Sequence, residues 1–398
     1  MTTPQPVTVQ RLPALDALKG AACVLIVLHH LAFYGPMSDV LHRHVPWLTA
    51  WLYDYGRMAV QVFLVVAGFL AAASLAPDGT ARFERPARLI LQRYLRLVPP
   101  YLVAVAATVL VAALVRPWFD HSSVPAAPTL LQIVAHALLL QDLLGYDALS
   151  AGVWYVAIDL QLFTLAVLTL AGARGLQRGQ AVPWAWLPVV MVALLGTASL
   201  LVFNRYRGLD ATALYFFGSY ALGMLAFWVS SQLVHTQGGA QAITPMARSA
   251  IARRWMGVAL VLVIGGSALA INFRPRIAIA LVTALGLIAL RTAARPAPVI
   301  NSALHLAPAD GWWTAWLRRS GLVRIGQMAY SIFLIHFSVC LLVNAAVTRF
   351  WPKDLLPNAL GLVAAFGLSL LAGAALYRGV EARPIKAPGL PLPVPVER

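Results

Sequence analysis

Charge is scarce in this chain. Only 11% of its 398 residues are Asp, Glu, Lys or Arg, and what charge there is runs one way, 14 acids against 30 bases for a formal net charge of +16. Ordinary soluble domains carry about a quarter of their residues charged, so a share this low excludes that class. Cysteine is nearly absent too. Cys23 and Cys340 are the only two, both fall inside apolar runs with no metal-type partner nearby, and they read as small packing residues. The basic residues sit between apolar runs and form no patch interleaved with exposed aromatics, which argues against a nucleic-acid partner. No internal repeat stands out. Asp16 interrupts the approach to the first apolar run, and that run is long enough to span a bilayer, so the N-terminus does not read as a cleaved secretory signal.

What the chain has in excess is apolar length. Hydrophobic residues make up 60% of it, and the mean hydropathy is +0.76. Stretches that suit a membrane helix fall near 17–35, 57–76, 93–115, 151–172, 183–203, 212–231, 255–272, 276–292, 322–347 and 356–379. Placing the N-terminus in the cytoplasm puts about two thirds of the lysines and arginines on the inner side, as the positive-inside rule requires. The expectation is an all-α polytopic membrane helix bundle of about ten transmembrane helices in an inner (plasma) membrane, with both termini cytoplasmic. One membrane domain over 1–385 and a short proline-rich tail over 386–398 account for the length. The longest gaps between spans, near 116–150 and 293–321, leave no room for a soluble domain. The first of them holds Leu130, Leu131, Val134, Leu138 and Leu139 with His136, Gln141 and Asp142, too short to span, and reads as a re-entrant or interfacial helix. The second holds Trp312, Trp313, Trp316, Arg318 and Arg319, which suits an anchor at headgroup level.

Polar residues inside such runs are costly, and each is a candidate for function. Lys19 and His30 are eleven residues apart on the first span. At about 100° per residue they return to within about 20° of one direction, and roughly 16 Å of rise separates a cation at the surface from an imidazole in the apolar zone. His29 points about 100° away from His30. A neutral imidazole accepts a hydroxyl proton near pH 7, so His30 is a candidate general base; an interhelical hydrogen bond is the plainer use of the same ring. Arg93 and Arg96, three apart at the inner end of the third span, present two guanidinium forks suited to phosphates, or simply supply positive-inside charge. Asp159, in the fourth span, calls for a partner: it orients an imidazole and takes part in catalysis, or it pairs with an arginine. His336 in the ninth span, with Tyr330 and Phe333 on its side, and Gln61 in the second read as polar glue or as lining of a site.

Taken together and in this order, the motifs resemble the acyltransferase-3 family of integral membrane acyltransferases. Leu15-Asp16-Ala17-Leu18-Lys19-Gly20 followed by His30 is similar to the family's first helix, in which a basic residue precedes a histidine by the same spacing; this match selects His30 over His29. Phe63 to Leu70, with Gly68-Phe69-Leu70, resembles the second-helix pattern. Arg93-Tyr94-Leu95-Arg96 before Pro99, Pro100 and Tyr101 resembles the paired arginines. Trp154, Asp159, Gln161 and Phe163 resemble a later pattern, and Tyr330, Ser331 and His336 the last. Three positions depart: Lys19 stands where the family has arginine, Asp159 where it has glutamate and Ala67 where it has serine, which replaces a planar fork by a point charge and withdraws a carboxylate by one methylene.

The resemblance implies an O-acyltransferase that moves an acyl group, acetyl by family habit, from cytoplasmic acyl-coenzyme A to a hydroxyl of a carbohydrate or glycoconjugate on the other side. Within it His30 and Asp159 are catalytic, Lys19, Arg93 and Arg96 bind the donor, and His336 and Gln61 are further polar intramembrane groups. Acyl-coenzyme A is then a co-substrate, and no tightly bound cofactor, metal or nucleic acid is expected; membrane lipids and the acceptor complete the partners. A transporter or flippase is the rival reading, since intramembrane His, Asp and Gln also mark substrate pathways.

Overall fold

The computed structural model describes residues 13–180, 184, 186–237, 245–293, 316–317 and 319–383. Trp312, Trp313, Arg318 and the proline-rich tail lie outside them. No strand occurs among the described residues, and nine helical stretches there are long and apolar enough to cross a membrane. In chain order the helices are α1 (Pro13–Phe33), α2 (Pro36–His42), α3 (Pro46–Tyr55), α4 (Val60–Leu75), α5 (Pro86–Val115), α6 (Leu130–Ala137), α7 (Val153–Leu176), α8 (Trp186–Leu201), α9 (Ala213–Gln237), α10 (Pro245–Ile271), α11 (Pro275–Ala293), α12 (Gly321–Gln327), α13 (Ala329–Phe350) and α14 (Leu355–Leu376). Prolines open α2, α3 and α5, where the missing N–H has no helical partner to lose.

Two boundaries differ from the hydropathy reading. The second span begins earlier than 57: α3, a short 3₁₀ turn and α4 run as one stretch, Pro46–Leu75. The apolar run expected at 255–272 is a shorter apolar stretch, Trp255–Ile271, in the second half of α10. Hydropathy windows average over such joints, which is why neither edge was sharp.

Burial separates the helices into centre and rim. In α9 89% of the apolar window is buried, against 28% for Trp186–Arg205 and for Leu355–Glu381, so α9 is an axle and the other two face lipid. Around α9 pack α4, α7, α8, α10 and α11, sharing one core that includes Leu64, Val65, Leu162, Phe217, Tyr220 and Leu287. A second group, α1, α5, α12, α13 and α14, encloses Cys23, Val27, Ile332, Cys340 and Tyr101. In both groups helices meet backbone to backbone at paired glycines. A Cβ on Gly68 would lie 1.9 Å from the Tyr220 carbonyl oxygen, and one on Gly223 1.9 Å from that of Val65, so α4 and α9 touch through both. Likewise a Cβ on Gly20 would meet the Leu322 carbonyl at 2.0 Å and one on Gly326 the Asp16 carbonyl at 1.8 Å, which locks α1 onto α12. Lipid tails are as apolar as leucine, so close backbone approach at small residues is what holds such helices together.

The segment between α5 and α7 turns back along α5. The Tyr94 hydroxyl donates to the Ala137 carbonyl at 2.9 Å, although Tyr94 and the far end of α5 at Val115 are separated by roughly 30 Å of helical rise. Leu130, Leu131, Ile133 and Val134 of α6 are exposed, whereas Ala135 and His136 are buried, the division expected of a helix dipping into lipid. After α6 the chain reverses with Leu139 at φ 57°, its N–H bonded to the His136 carbonyl and the next N–H to that of Ala135. This is the helix ending that glycine usually takes. Leucine bears the strain because its side chain is buried among Leu97, Leu149 and Val153. His136 staples the turn: its Nδ1–H donates to the Gln132 carbonyl at 2.8 Å and its Nε2 accepts from the Leu149 N–H at 3.1 Å, a pattern open only to the neutral ring.

Two measurements test these contacts. Gly20→Ala should cost about 1–3 kcal/mol or more, because the methyl meets a carbonyl that cannot move without separating α1 from α12; Gly266→Ala, with nothing within 4 Å, should leave the thermal midpoint in detergent unchanged. Burial pushes the His136 imidazole below its ordinary value of 6.5, so the stapled turn is fully held above that pH and loses stability as pH falls below it. Amide exchange at Leu149, corrected for its intrinsic rate, should therefore be flat above about pH 7 and accelerate on acidification.

Candidate active site

The two helical groups meet along a seam with α1, α5 and α13 on one side and α4 and α7 on the other, and most of the polar residues singled out from the sequence lie along it. α1 is unbroken from Pro13 to Phe33, so Lys19 and His30 share one helix. The register of α1 against α13 follows from the glycine lock. Gly20 faces Gly326, and His30 and His336 each lie ten residues further along their chains, so equal rise of about 15 Å brings the two rings to one level. His30 Nδ1 and His336 Nε2 are 2.6 Å apart, with the ring planes within 2° of parallel. His336 is fully buried and its Nδ1 lies 3.2 Å from the Ile332 carbonyl; His30 is half-buried, and its Nε2 has no partner among the described residues. Of the two rings only His30 is partly exposed.

Neighbouring His29 does something else. Its Nδ1–H donates to the Leu52 carbonyl at 2.9 Å, tying α1 to α3, and Gly56 leaves room for its Cβ. The 100° between consecutive helical residues thus assigns one histidine to the seam and the other to the scaffold. Phe63, Tyr155 and Phe333 form an aromatic wall beneath the imidazole pair, with Tyr155 and Phe333 edge to face at 5.4 Å and Phe333 6.1 Å from His336. Phe333 also needs Gly152, a left-handed residue (φ 82°) whose Cβ would come within 2.7 Å of the ring.

Below that wall Asp159 meets Arg93 and, among the described residues, no imidazole. Arg93 Nη2 and Nε donate to Asp159 Oδ2 at 2.6 and 3.2 Å, and the guanidinium stands over the Phe163 ring at 5.4 Å. The Asp159 side chain is 7% exposed and that of Arg93 30%, so the carboxylate is enclosed while the guanidinium stays open on one side. Tyr155, Tyr220 and Tyr330 stand within electrostatic range of the pair. Arg93 and Arg96 therefore do not present twin forks in one direction, as their spacing alone implied: Arg93 turns inward because a buried carboxylate faces it, and Arg96 is exposed. Lys19 is paired with Asp16 one turn earlier at 2.7 Å. Glu381, on the π-helical turn Tyr377–Glu381 that ends the last span, accepts from the Ser331 hydroxyl at 2.5 Å and lies within electrostatic range of Arg96 and Lys19. Gln61 accepts a hydrogen bond from Ser219 at 2.6 Å, joining α4 to α9 away from the imidazoles. Among the described residues no three His, Cys, Asp or Glu side chains group closely enough to hold a metal ion.

Sequence reasoning passed over Glu381 and did not pair Asp16 with Lys19. Their signal was present, since the chain has only 14 acids and an acid flanking an apolar span is a candidate partner for a cation.

The bundle thus holds a half-buried imidazole and an arginine–carboxylate pair along its seam. Residues 12–378 match a family described as an acyltransferase domain, and the chain belongs to that family, acyltransferase-3. It is a multi-pass membrane acyltransferase. No curated protein and no solved structure matches the chain.

The Arg93–Asp159 contact yields a stability test. Arg93→Leu strands the enclosed Asp159 carboxylate and should cost about 3–5 kcal/mol, while the double variant Arg93→Leu/Asp159→Leu should recover much of it, because an apolar pair leaves no uncompensated charge. Chemical or thermal unfolding of the four proteins in one detergent reads the cycle.

Proposed function

We propose that the protein is an O-acyltransferase of the inner (plasma) membrane. It moves an acyl group, acetyl in the first instance, from cytoplasmic acyl-coenzyme A to a hydroxyl of a carbohydrate or glycoconjugate on the opposite side. The observation that carries this reading is the free, half-buried Nε2 of His30 in the seam of an acyltransferase-family bundle. The acyl-coenzyme A phosphates meet Lys19 and Arg96 at the cytoplasmic mouth. Arg93, held by Asp159, keeps one open edge toward the path of the pantetheine arm, and the roughly 16 Å of rise between Lys19 and His30 matches the span such an arm must cover. Asp159 thereby acts through Arg93 and not on the reacting atoms.

The acceptor approaches from the other end. One turn beyond His30 lies a cavity of about 290 Å³, lined among others by Phe33, Asp39, His42, Thr49, Tyr53 and Asp54. Phe33 and Tyr53 stand nearly parallel at 5.1 Å and are about half exposed, and the two carboxylates have no ion-pair partner among the described residues. Thr49 donates to backbone carbonyls, and so does Ser38. The lining is therefore rich in acceptors and aromatic faces, which suits a polyol and repels an anion, keeping the phosphorylated donor to the Lys19 side.

In the transfer step His30 Nε2 takes the proton of the acceptor hydroxyl as its oxygen attacks the thioester carbonyl carbon. The tetrahedral intermediate collapses, the carbon–sulfur bond breaks, and the departing coenzyme A sulfur receives that proton from Nε2. An ester and a free thiol result, and His30 returns to its starting state. His30→Ala, shown to be correctly inserted, should slow acyl transfer by about 10²–10⁴-fold when acyl-coenzyme A consumption and acceptor mass are followed in proteoliposomes. An unchanged rate would sink the assignment of the base.

A further inference from the structure

A general base of this kind needs its lone pair on one particular nitrogen, and an isolated neutral imidazole gives no guarantee of that. In serine-hydrolase triads a buried carboxylate settles the question by holding the proton on Nδ1. No carboxylate contacts His30 among the described residues; its Nδ1 faces the imidazole of His336. The direction of that hydrogen bond can be worked out from its far end. A carbonyl oxygen only accepts, so at the Ile332 carbonyl it is His336 Nδ1 that carries hydrogen. In a neutral His336 the Nε2 then holds a lone pair, and the atom 2.6 Å away, His30 Nδ1, must be the donor. His30 Nε2, which has no partner among the described residues, is left with its lone pair.

We infer that His336 is a positioning residue for the transfer reaction: by accepting from His30 Nδ1–H it fixes the tautomer and the plane of His30, and the Ile332 carbonyl fixes His336 in turn. This rests on the reading of His30 as the base. When His30 takes up the acceptor proton, its Nδ1–H stays where it is and the bond to His336 Nε2 becomes charge-assisted, so the fully buried ring supplies to the imidazolium what a carboxylate supplies elsewhere. No proton leaves His30 toward His336, and no charge is stored on the second ring. The three links Ile332, His336 and His30 run from backbone to base without an ionised group, which suits a site inside an apolar bundle, where an unpaired carboxylate is expensive. The planes within 2° of parallel agree, because an in-line N–H···N bond between two rings is compatible with such an arrangement.

The test separates the tautomer from the activity. In ¹⁵N-histidine-labelled protein in nanodiscs, the His30 resonances at neutral pH should show a protonated Nδ1 and an unprotonated Nε2. His336→Leu removes the acceptor and should let His30 drift to the Nε2–H form, lowering kcat about 10²–10⁴-fold with KM for acetyl-coenzyme A unchanged. His336→Gln, whose Oε1 can still accept from Nδ1–H, should keep the tautomer and restore most of the rate. Should the leucine variant not fold, the tautomer in the unaltered protein still decides. A protonated Nε2 there, or a folded leucine variant that keeps its kcat, overturns the proposal. If instead His30→Ala proves fully active while the Nδ1–H tautomer is found, the hydrogen-bond chain stands and it is the assignment of the base that fails.

Discussion

Everything at the centre of this protein depends on α1 lying against α12 with no side chains between them. Gly20 and Gly326 let two backbones touch, and the contact works as a fixed origin for two parallel helices. Ten residues of rise on each side then deliver His30 and His336 to the same height, where a 2.6 Å hydrogen bond forms without either helix adjusting. Any larger residue at the origin separates the helices at their base and misaligns the rings above it. The second lock, Gly68 with Gly223, does the same for α4 and α9, and it seats Phe63 against the aromatic wall from the other side of the seam.

The second constraint is that the charges along the seam and its mouth each stand beside a partner. Arg93 finds Asp159, Lys19 finds Asp16, and the Glu381 carboxyl finds the Ser331 hydroxyl near Arg96. The imidazole pair in the same seam holds together as two rings with no carboxylate in contact. Partners that are individually local, three or four residues apart, were within reach of helical periodicity; Lys19 with Asp16 is one. Those that join α5 to α7 or α1 to α13 were not, because period and hydropathy report which side of a helix a residue occupies and say nothing of which helix stands opposite.

That boundary also describes how far the sequence could be read. The all-helical membrane class, most of the spans and the shared face of Lys19 and His30 follow from composition and geometry along one element. The segment at 130–137 was legible as apolar and too brief to span, and it is a short helix. Its depth alongside α5 was not, because that depends on the Tyr94–Ala137 bond across 43 positions. Arg93 was read as pointing toward the donor with Arg96, and its inward turn rests on Asp159, 66 positions away. Motif resemblance chose His30 over His29, but the reason the two differ lies in tertiary structure, in the Leu52 carbonyl that claims one and the His336 ring that claims the other.

That division of labour between adjacent histidines has a mechanical side. His29 and His30 leave α1 about 100° apart, one held by α3 and one by α13. Two radial ties at the same height resist twisting far better than one, because a rotation that shortens either bond stretches or swings the other. The α2–α3 hairpin therefore acts as an outrigger for α1. Without the Leu52 tie, the torsional setting of the helix that carries His30 would rest on the bond to His336 alone.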